Sequence, residues 1–157
     1  MGLLLKLFSG TPQSAGQSHF EEVDPWLFDD CGQLIAAVGV SHYQLALAEI
    51  CGSERWERVR FDCQAALVPE PDNPYDANAV RVFANCRGSY IQVGYLSRRA
   101  AVDYGPAVRR AAELGCTIAC QGHIAGREEG SETPNLGVFL DLPTPDACMG
   151  QLGEPLS

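Results

Sequence analysis

The alternation of apolar and polar positions predicts a series of short strands with two helical segments among them. Residues 34–40, Leu-Ile-Ala-Ala-Val-Gly-Val, form a short apolar run and the predicted first strand. Tyr43 to Cys51 carries Leu45, Leu47, Ala48 and Ile50 and predicts a short helix stopped by Gly52. From Arg58 to Val68 the pattern alternates in part (Val59, Phe61, Cys63, then Ala65 and Leu67), as a half-buried strand does. Residues 79–83 continue as a strand with Val80 and Val82 on one face and Arg81 and Phe83 on the other. Asn85 to Ser89 is a turn, and Tyr90 to Leu96 returns as the second arm of a hairpin.

Ser97 is placed as the N-cap of a helix over 98–114. Val108, Ala111, Ala112 and Leu114 form its apolar stripe, an interruption is expected at Gly105-Pro106, and Gly115 ends it. Cys116 to Ile124 and Val138 to Leu142 are the last two predicted strands. Residues 9–25 are rich in Ser, Gly, Gln and Pro and read as an arm, which Trp26-Leu27-Phe28 would dock onto the domain. The chain therefore divides into an N-terminal arm over 1–33, one domain over 34–142 and a C-terminal tail over 143–157.

A chain of 157 residues with 46% apolar residues has the size and composition of one globular domain. No apolar run approaches the roughly 20 residues of a membrane-spanning helix. Leu3-Leu4-Leu5-Lys6-Leu7-Phe8 lacks the basic lead-in of a secretory signal, so a cytoplasmic location is expected. Seven cysteines then read as mostly free thiols in a reducing compartment. The single lysine, Lys6, has none of the context of a phosphate-binding P-loop, which excludes a P-loop motor.

The net charge of −9 is unevenly spread. Residues 79–127 hold seven arginines against Asp103 and Glu113, whereas both flanks are acidic. An acidic whole argues against non-specific binding to long duplex, which needs many phosphate contacts. The basic middle permits a site touching one or two phosphates, and it equally fits a solvated helix face.

The segment Glu70-Pro71-Asp72-Asn73-Pro74-Tyr75-Asp76-Ala77-Asn78 separates two strands and predicts a stiff loop. Pro74 fixes its own φ and extends Asn73, and Asp76 and Asn78 can close local side-chain turns. Tyr75 at the apex beside Asp76 suits a ligand with one flat face and one hydroxyl. An ordinary turn with its tyrosine packed inward fits the same residues.

The ordered set Asn73-Pro74-Tyr75-Asp76-x-Asn78-Ala79-Val80, followed by Val93-Gly94-Tyr95-Leu96 and a helix, resembles the HIRAN domain family. Val38-Gly39-Val40-Ser41-His42-Tyr43 is similar to the family's first strand, and the resemblance covers residues 34–142. It implies an OB-like barrel that captures the 3′-hydroxyl end of single-stranded DNA. The family occurs fused to DNA-dependent motors in eukaryotes and as small stand-alone bacterial proteins.

Carried over by position, the resemblance implies that Tyr75 stacks on the terminal base and that Asp76 accepts from the 3′-hydroxyl. Asn73 would shape the pocket or touch the terminal nucleotide. Tyr95 would present a polar ring, and Arg98 and Arg99 would meet phosphate. DNA-capturing members carry Arg-Tyr where this chain has Ser41-His42, so the second aromatic wall falls to His42 or Tyr43.

Other constellations compete. Cys116, Cys120 and His123 are weak candidates for zinc: their spacing matches no paired C-x-x-C, and a strand would put His123 on the opposite face. No cofactor is otherwise expected. A Cys63–His42 nucleophile pair is conceivable, and Glu128-Glu129-Gly130-Ser131-Glu132 reads as a solvated loop that could dock a basic partner.

The expected fold is α+β, a small, mostly antiparallel sheet closing towards an OB- or SH3-like β-barrel with one or two packed helices. The expected function is non-catalytic recognition of single-stranded DNA 3′ ends, accessory to a DNA repair or processing enzyme in trans. The alternatives are a module binding a basic peptide or partner enzyme and, ranked below it, a metal-dependent hydrolase.

Overall fold

A computed structural model describes residues 26–28, 33–51, 59–126 and 136–152. The seven strands are β1 (Trp26–Phe28), β2 (Gln33–Ala36), β3 (Val59–Pro69), β4 (Val80–Cys86), β5 (Ser89–Tyr95), β6 (Ile118–Gly126) and β7 (Leu136–Leu142). The helices are α1 (Gln44–Cys51), α2 (Arg98–Glu113) and α3 (Pro145–Leu152), and a 3₁₀ turn spans Val40–Tyr43. The acidic stretch 128–132, the arm residues 1–25 and Gly52 lie outside the described residues.

Six strands make an antiparallel sheet in the order β2-β7-β6-β3-β4-β5, and β1 runs parallel along the first residues of β6. The pairing does not close into the expected barrel. The two ends of this path approach at one isolated bridge, Val38 with Tyr95, instead of along a ladder. The reason is local: Gly39 takes φ 71°, a left-handed conformation, and turns the chain into the 3₁₀ turn before a strand can continue. The predicted strand over 34–40 is thus shortened to 33–36 plus the bridge.

The core lies on one face of the sheet. Cys63, Ala65 and Leu67 of β3, Val80, Val82 and Ala84 of β4, Ile118, Cys120 and Ile124 of β6 and Leu136, Val138, Leu140 and Leu142 of β7 pack with Leu47 and Ile50 of α1. The same cluster takes in Ala101, Tyr104, Ala107, Val108 and Ala111 of α2. Ala66, Val68, Phe83 and Tyr90 form a second buried cluster, which leaves β3 buried on both faces at its centre.

Helix α2 begins where its cap predicts, with Ser97 Oγ accepting from the Ala100 N–H at 3.1 Å. It ends in a Schellman turn: Gly115, at φ 75°, donates its N–H to Ala112 O and Cys116 donates to Ala111 O. The helix runs through Pro106 without the expected interruption. Pro106 and Val102, whose carbonyl loses its intrahelical donor, are both exposed, so water can satisfy that oxygen. Leu114 is 46% exposed and leaves the apolar stripe.

Within the stretch read as a tail, Pro145–Leu152 is a helix whose Cys148 and Leu152 are buried. Thr144 caps it, its Oγ1 accepting from Ala147 N–H at 3.3 Å, and Pro145 occupies the first helical position, where its missing N–H costs nothing. The Tyr104 hydroxyl donates to Pro143 O at 2.7 Å and ties this end to α2.

The β4–β5 hairpin turns through Arg87 at φ 54° and Gly88 at φ 88°, the paired left-handed conformation that matches strand twist. Asn85 Oδ1 accepts from Gly88 N–H at 3.2 Å.

Candidate nucleic-acid interface

The loop between β3 and β4 is two turns set back to back. Glu70 N–H donates to Ala79 O across its neck at 2.9 Å, Asn73 N–H to Glu70 O at 3.1 Å, and Ala79 N–H to Asp76 O at 3.1 Å. Asn73 Oδ1 joins the turns by accepting from the N–H groups of Tyr75 (2.9 Å) and Asp76 (3.0 Å). Asp76 Oδ1 accepts from Asn78 N–H at 2.9 Å. Each of these bonds is local, so the two turns are built by the loop's own Asn, Asp and Pro residues.

This frame presents Tyr75 at 87% exposure, an outward-facing ring and not the inward-packed tyrosine of an ordinary turn. Asp76 is half-buried beside it. Among the described residues, Asp76 Oδ2 accepts no hydrogen bond. An open ring and a free carboxylate oxygen thus sit on adjacent residues. Asn73 is occupied in shaping the loop.

Beside the loop stands a polar cluster from three elements. The Tyr95 hydroxyl at the end of β5 donates to Glu70 Oε2 at 3.1 Å, and Asn73 Nδ2 donates to Glu70 Oε1 at 3.1 Å. Arg81 Nε of β4 lies 3.5 Å from Glu70 Oε2, an ion pair at a distance too long for a good hydrogen bond. The guanidinium lies 5.5 Å from the centroid of the Phe83 ring, as the alternation of β4 predicts for residues sharing a face.

The Tyr43 side chain lies beside that of Tyr95. Burial raises its phenol pKa above the ordinary value, and the Tyr95 side chain and the Glu70 charge add to the effect. Between the two expected candidates for the second aromatic wall, Tyr43 joins this cluster while His42 is exposed on the 3₁₀ turn.

The topology gathers these parts at one end of the sheet. Leu96 N–H donates to Val80 O at 3.0 Å, which sets the start of α2 beside the foot of the loop. Arg98 and Arg99 open that helix, exposed, with no acidic residue in its first turn. Two cations at a helix's positive end leave a local excess of positive potential that an anion would relieve.

Glu70 and Arg81 are absent from the expected site residues. Glu70 stands in the E-P pair that opens the loop, and Arg81 on the outward face of its strand, but their pairing depends on the β3–β4 register, which puts Val68 opposite Arg81.

The structure does not bring Cys116, Cys120 and His123 together as a metal set. Among the described residues no group of three or more His, Cys, Asp and Glu is gathered for an ion. Cys120 is in the core, and His123 stacks on Phe139 with ring centroids 5.1 Å apart. Burial, with the neighbouring Cys51 and Asp62, pushes the Cys63 thiol up to about 12, so at neutral pH it is protonated and a poor nucleophile. The six described cysteines are free. No helix among the described residues is long and apolar enough to cross a membrane. A hollow of about 320 Å³, lined by Leu34, Arg60, Asp62, Gln121, Gly122, His123 and Asp141, lies towards the opposite end of β3 from the loop.

The family model for the HIRAN domain matches residues 33–129. Neither a curated protein nor a solved structure matches the chain.

Proposed function

The chain belongs to the HIRAN domain family, a family of nucleic-acid-binding domains, and we propose that it recognises the 3′-hydroxyl end of single-stranded DNA without catalysing a reaction. The observation that carries this reading is the pairing of an 87% exposed Tyr75 with the open Oδ2 of Asp76 on one rigid loop. Stacking on such a ring contributes on the order of 1–3 kcal/mol per base and tolerates any base. The carboxylate oxygen accepts from a terminal hydroxyl, whereas a terminal phosphate would meet like charge. Tyr95 and Tyr43 supply the neighbouring wall, and Arg98 and Arg99 meet the backbone phosphate of the penultimate link. Such a module serves a DNA repair or processing enzyme carried on another chain, in the cytoplasm.

The test is fluorescence anisotropy with short labelled strands ending in 3′-hydroxyl or 3′-phosphate, on the wild type and Asp76→Ala. The expected result is tighter binding of the hydroxyl end by the wild type and loss of that preference in the variant. Equal affinity of the wild type for both ends refutes end recognition. Capture of a basic peptide with no binding of either strand would move the assignment to a protein-interaction module.

A further inference from the structure

Glu70 is bonded to both halves of the candidate interface. Its Oε1 accepts from Asn73 Nδ2, and Asn73 in turn holds the backbone N–H groups of Tyr75 and Asp76. Its Oε2 accepts from the Tyr95 hydroxyl and faces Arg81 Nε. The side chain is only 26% exposed, so it stands behind the loop and not at its tip.

We infer that Glu70 is the positioning residue of this interface, fixing the Tyr75–Asp76 loop and the Tyr95 ring in one register without itself touching the nucleic acid. The inference rests on the proposed nucleic-acid reading for its functional consequence, while the linkage is a property of the ligand-free protein.

The chemistry explains why a carboxylate stands here. Three donors from three elements converge on two oxygens, and an ionised carboxylate accepts at both while carrying no proton of its own. A glutamine has one acceptor oxygen: with that oxygen on Asn73 Nδ2, its amide N–H faces Arg81, a donor only, and Tyr95 must turn from donor to acceptor; turned round, the N–H faces Asn73 Nδ2. Glu70→Gln preserves size and so weakens the linkage, by its charge and one acceptor, with little change in packing. The carboxylate also offsets the Arg81 charge beside an aromatic wall, which leaves the exposed Arg98 and Arg99 as the cations open to a phosphate.

The experiment compares the wild type, Glu70→Gln, Tyr95→Phe and the double variant. In ligand-free protein, hydrogen exchange of the Tyr75 and Asp76 amides is expected to speed up about fivefold or more in Glu70→Gln, the loss of roughly one hydrogen bond's net worth. Spectrophotometric titration should show the Tyr43 phenol ionising at lower pH once the carboxylate is gone. With a labelled 3′-hydroxyl strand, Glu70→Gln is expected to bind about tenfold more weakly, and the same change made on Tyr95→Phe to cost clearly less, because contacting residues are not additive.

Unchanged exchange together with unchanged tyrosine titration overturns the inference. Fully additive binding losses also overturn it, since Glu70 would then act on the ligand directly. If Glu70→Gln does not fold, Tyr95→Phe removes only the hydroxyl that Glu70 holds, and undiminished strand affinity in that variant is likewise fatal. A wild type that binds no strand would end the functional reading, while exchange and titration would still decide the linkage.

Discussion

Val38 and Tyr95 exchange both backbone hydrogen bonds, Val38 N–H to Tyr95 O at 2.7 Å and Tyr95 N–H to Val38 O at 2.9 Å. This single bridge joins the two ends of the strand path and carries the 3₁₀ turn with His42 and Tyr43 to the side of Tyr95. It is possible because residue 94 has no side chain. A Cβ built on Gly94 would lie 2.7 Å from Val38 O and 3.2 Å from Val40 Cγ1.

Gly94→Ala is therefore expected to destabilise the domain. Backbone oxygen cannot rotate out of the way as a side chain can, so the bridge must open, and overpacking of this kind costs about 1–3 kcal/mol. The urea midpoint should fall without a change in slope. A variant with the wild-type midpoint would mean that the bridge contributes nothing to the fold.

Tyr75 makes the opposite prediction. With its ring in solvent, Tyr75→Ala should leave stability within about 0.5 kcal/mol of the wild type. Strand affinity should fall by about five- to 150-fold, the equivalent of 1–3 kcal/mol of lost stacking. Tyr75→Phe keeps the ring and should bind nearly as the wild type does. Equal loss in both variants would assign the phenol hydroxyl, and not the ring face, as the contact.

Much of this was legible from local rules, and the remainder fails for identifiable reasons. Alternation located the strands from β3 to β7, and Ser97 and Gly115 marked both ends of α2, because caps and pleats are properties of a few adjacent residues. The Tyr75 loop was legible for the same reason: its bonds run among Glu70, Asn73, Asp76, Asn78 and Ala79.

What was missed depends on partners distant in the chain. Helix α3 buries only Cys148 and Leu152 deeply, too few for a periodic signal, and its Thr144-Pro145-Asp146 start resembles a breaker as much as a cap. The role of Glu70 lies in donors from β4 and β5, visible only once the register is known. That Tyr43 lies beside Tyr95 while His42 is exposed likewise depends on the 3₁₀ turn, which the local pattern does not show.

Alkaline pH should unfold the protein earlier than its net charge alone suggests. Burial raises the Cys63 thiol to about 12 from an ordinary value near 9, and burial also raises Cys51 and Cys116. Below the unfolded value both states are protonated and the shift has no effect. Between about 9 and 12 the unfolded thiol releases its proton while the folded one keeps it, so the unfolded state binds fewer protons and stability falls as pH rises. The urea midpoint should drop progressively from pH 8 to pH 10.5, and less steeply in Cys63→Ala. Identical slopes in the two proteins would show that Cys63 is not shielded from solvent as the fold implies.

The start of α2 sets stability against binding. Arg98 and Arg99 occupy its first turn with no acidic residue among them, where the helix dipole is already positive. Replacing either arginine with alanine removes an unfavourable charge and adds a stronger helix former, so Arg98→Ala or Arg99→Ala should stabilise the ligand-free protein by a few tenths of a kcal/mol, about the size of such end charges. The same change should weaken strand binding and flatten its salt dependence. For single strands, log affinity falls against log salt with a slope of about −0.7 per neutralised phosphate. A site using both arginines should thus show a slope near −1.4, and the single variants near −0.7. Anisotropy titrations over a range of salt concentrations read the slope, and urea unfolding without DNA reads the stability. A variant that loses stability would refute the charge argument at the helix end, and one that binds with an unaltered slope would place the phosphate contact elsewhere on the molecule.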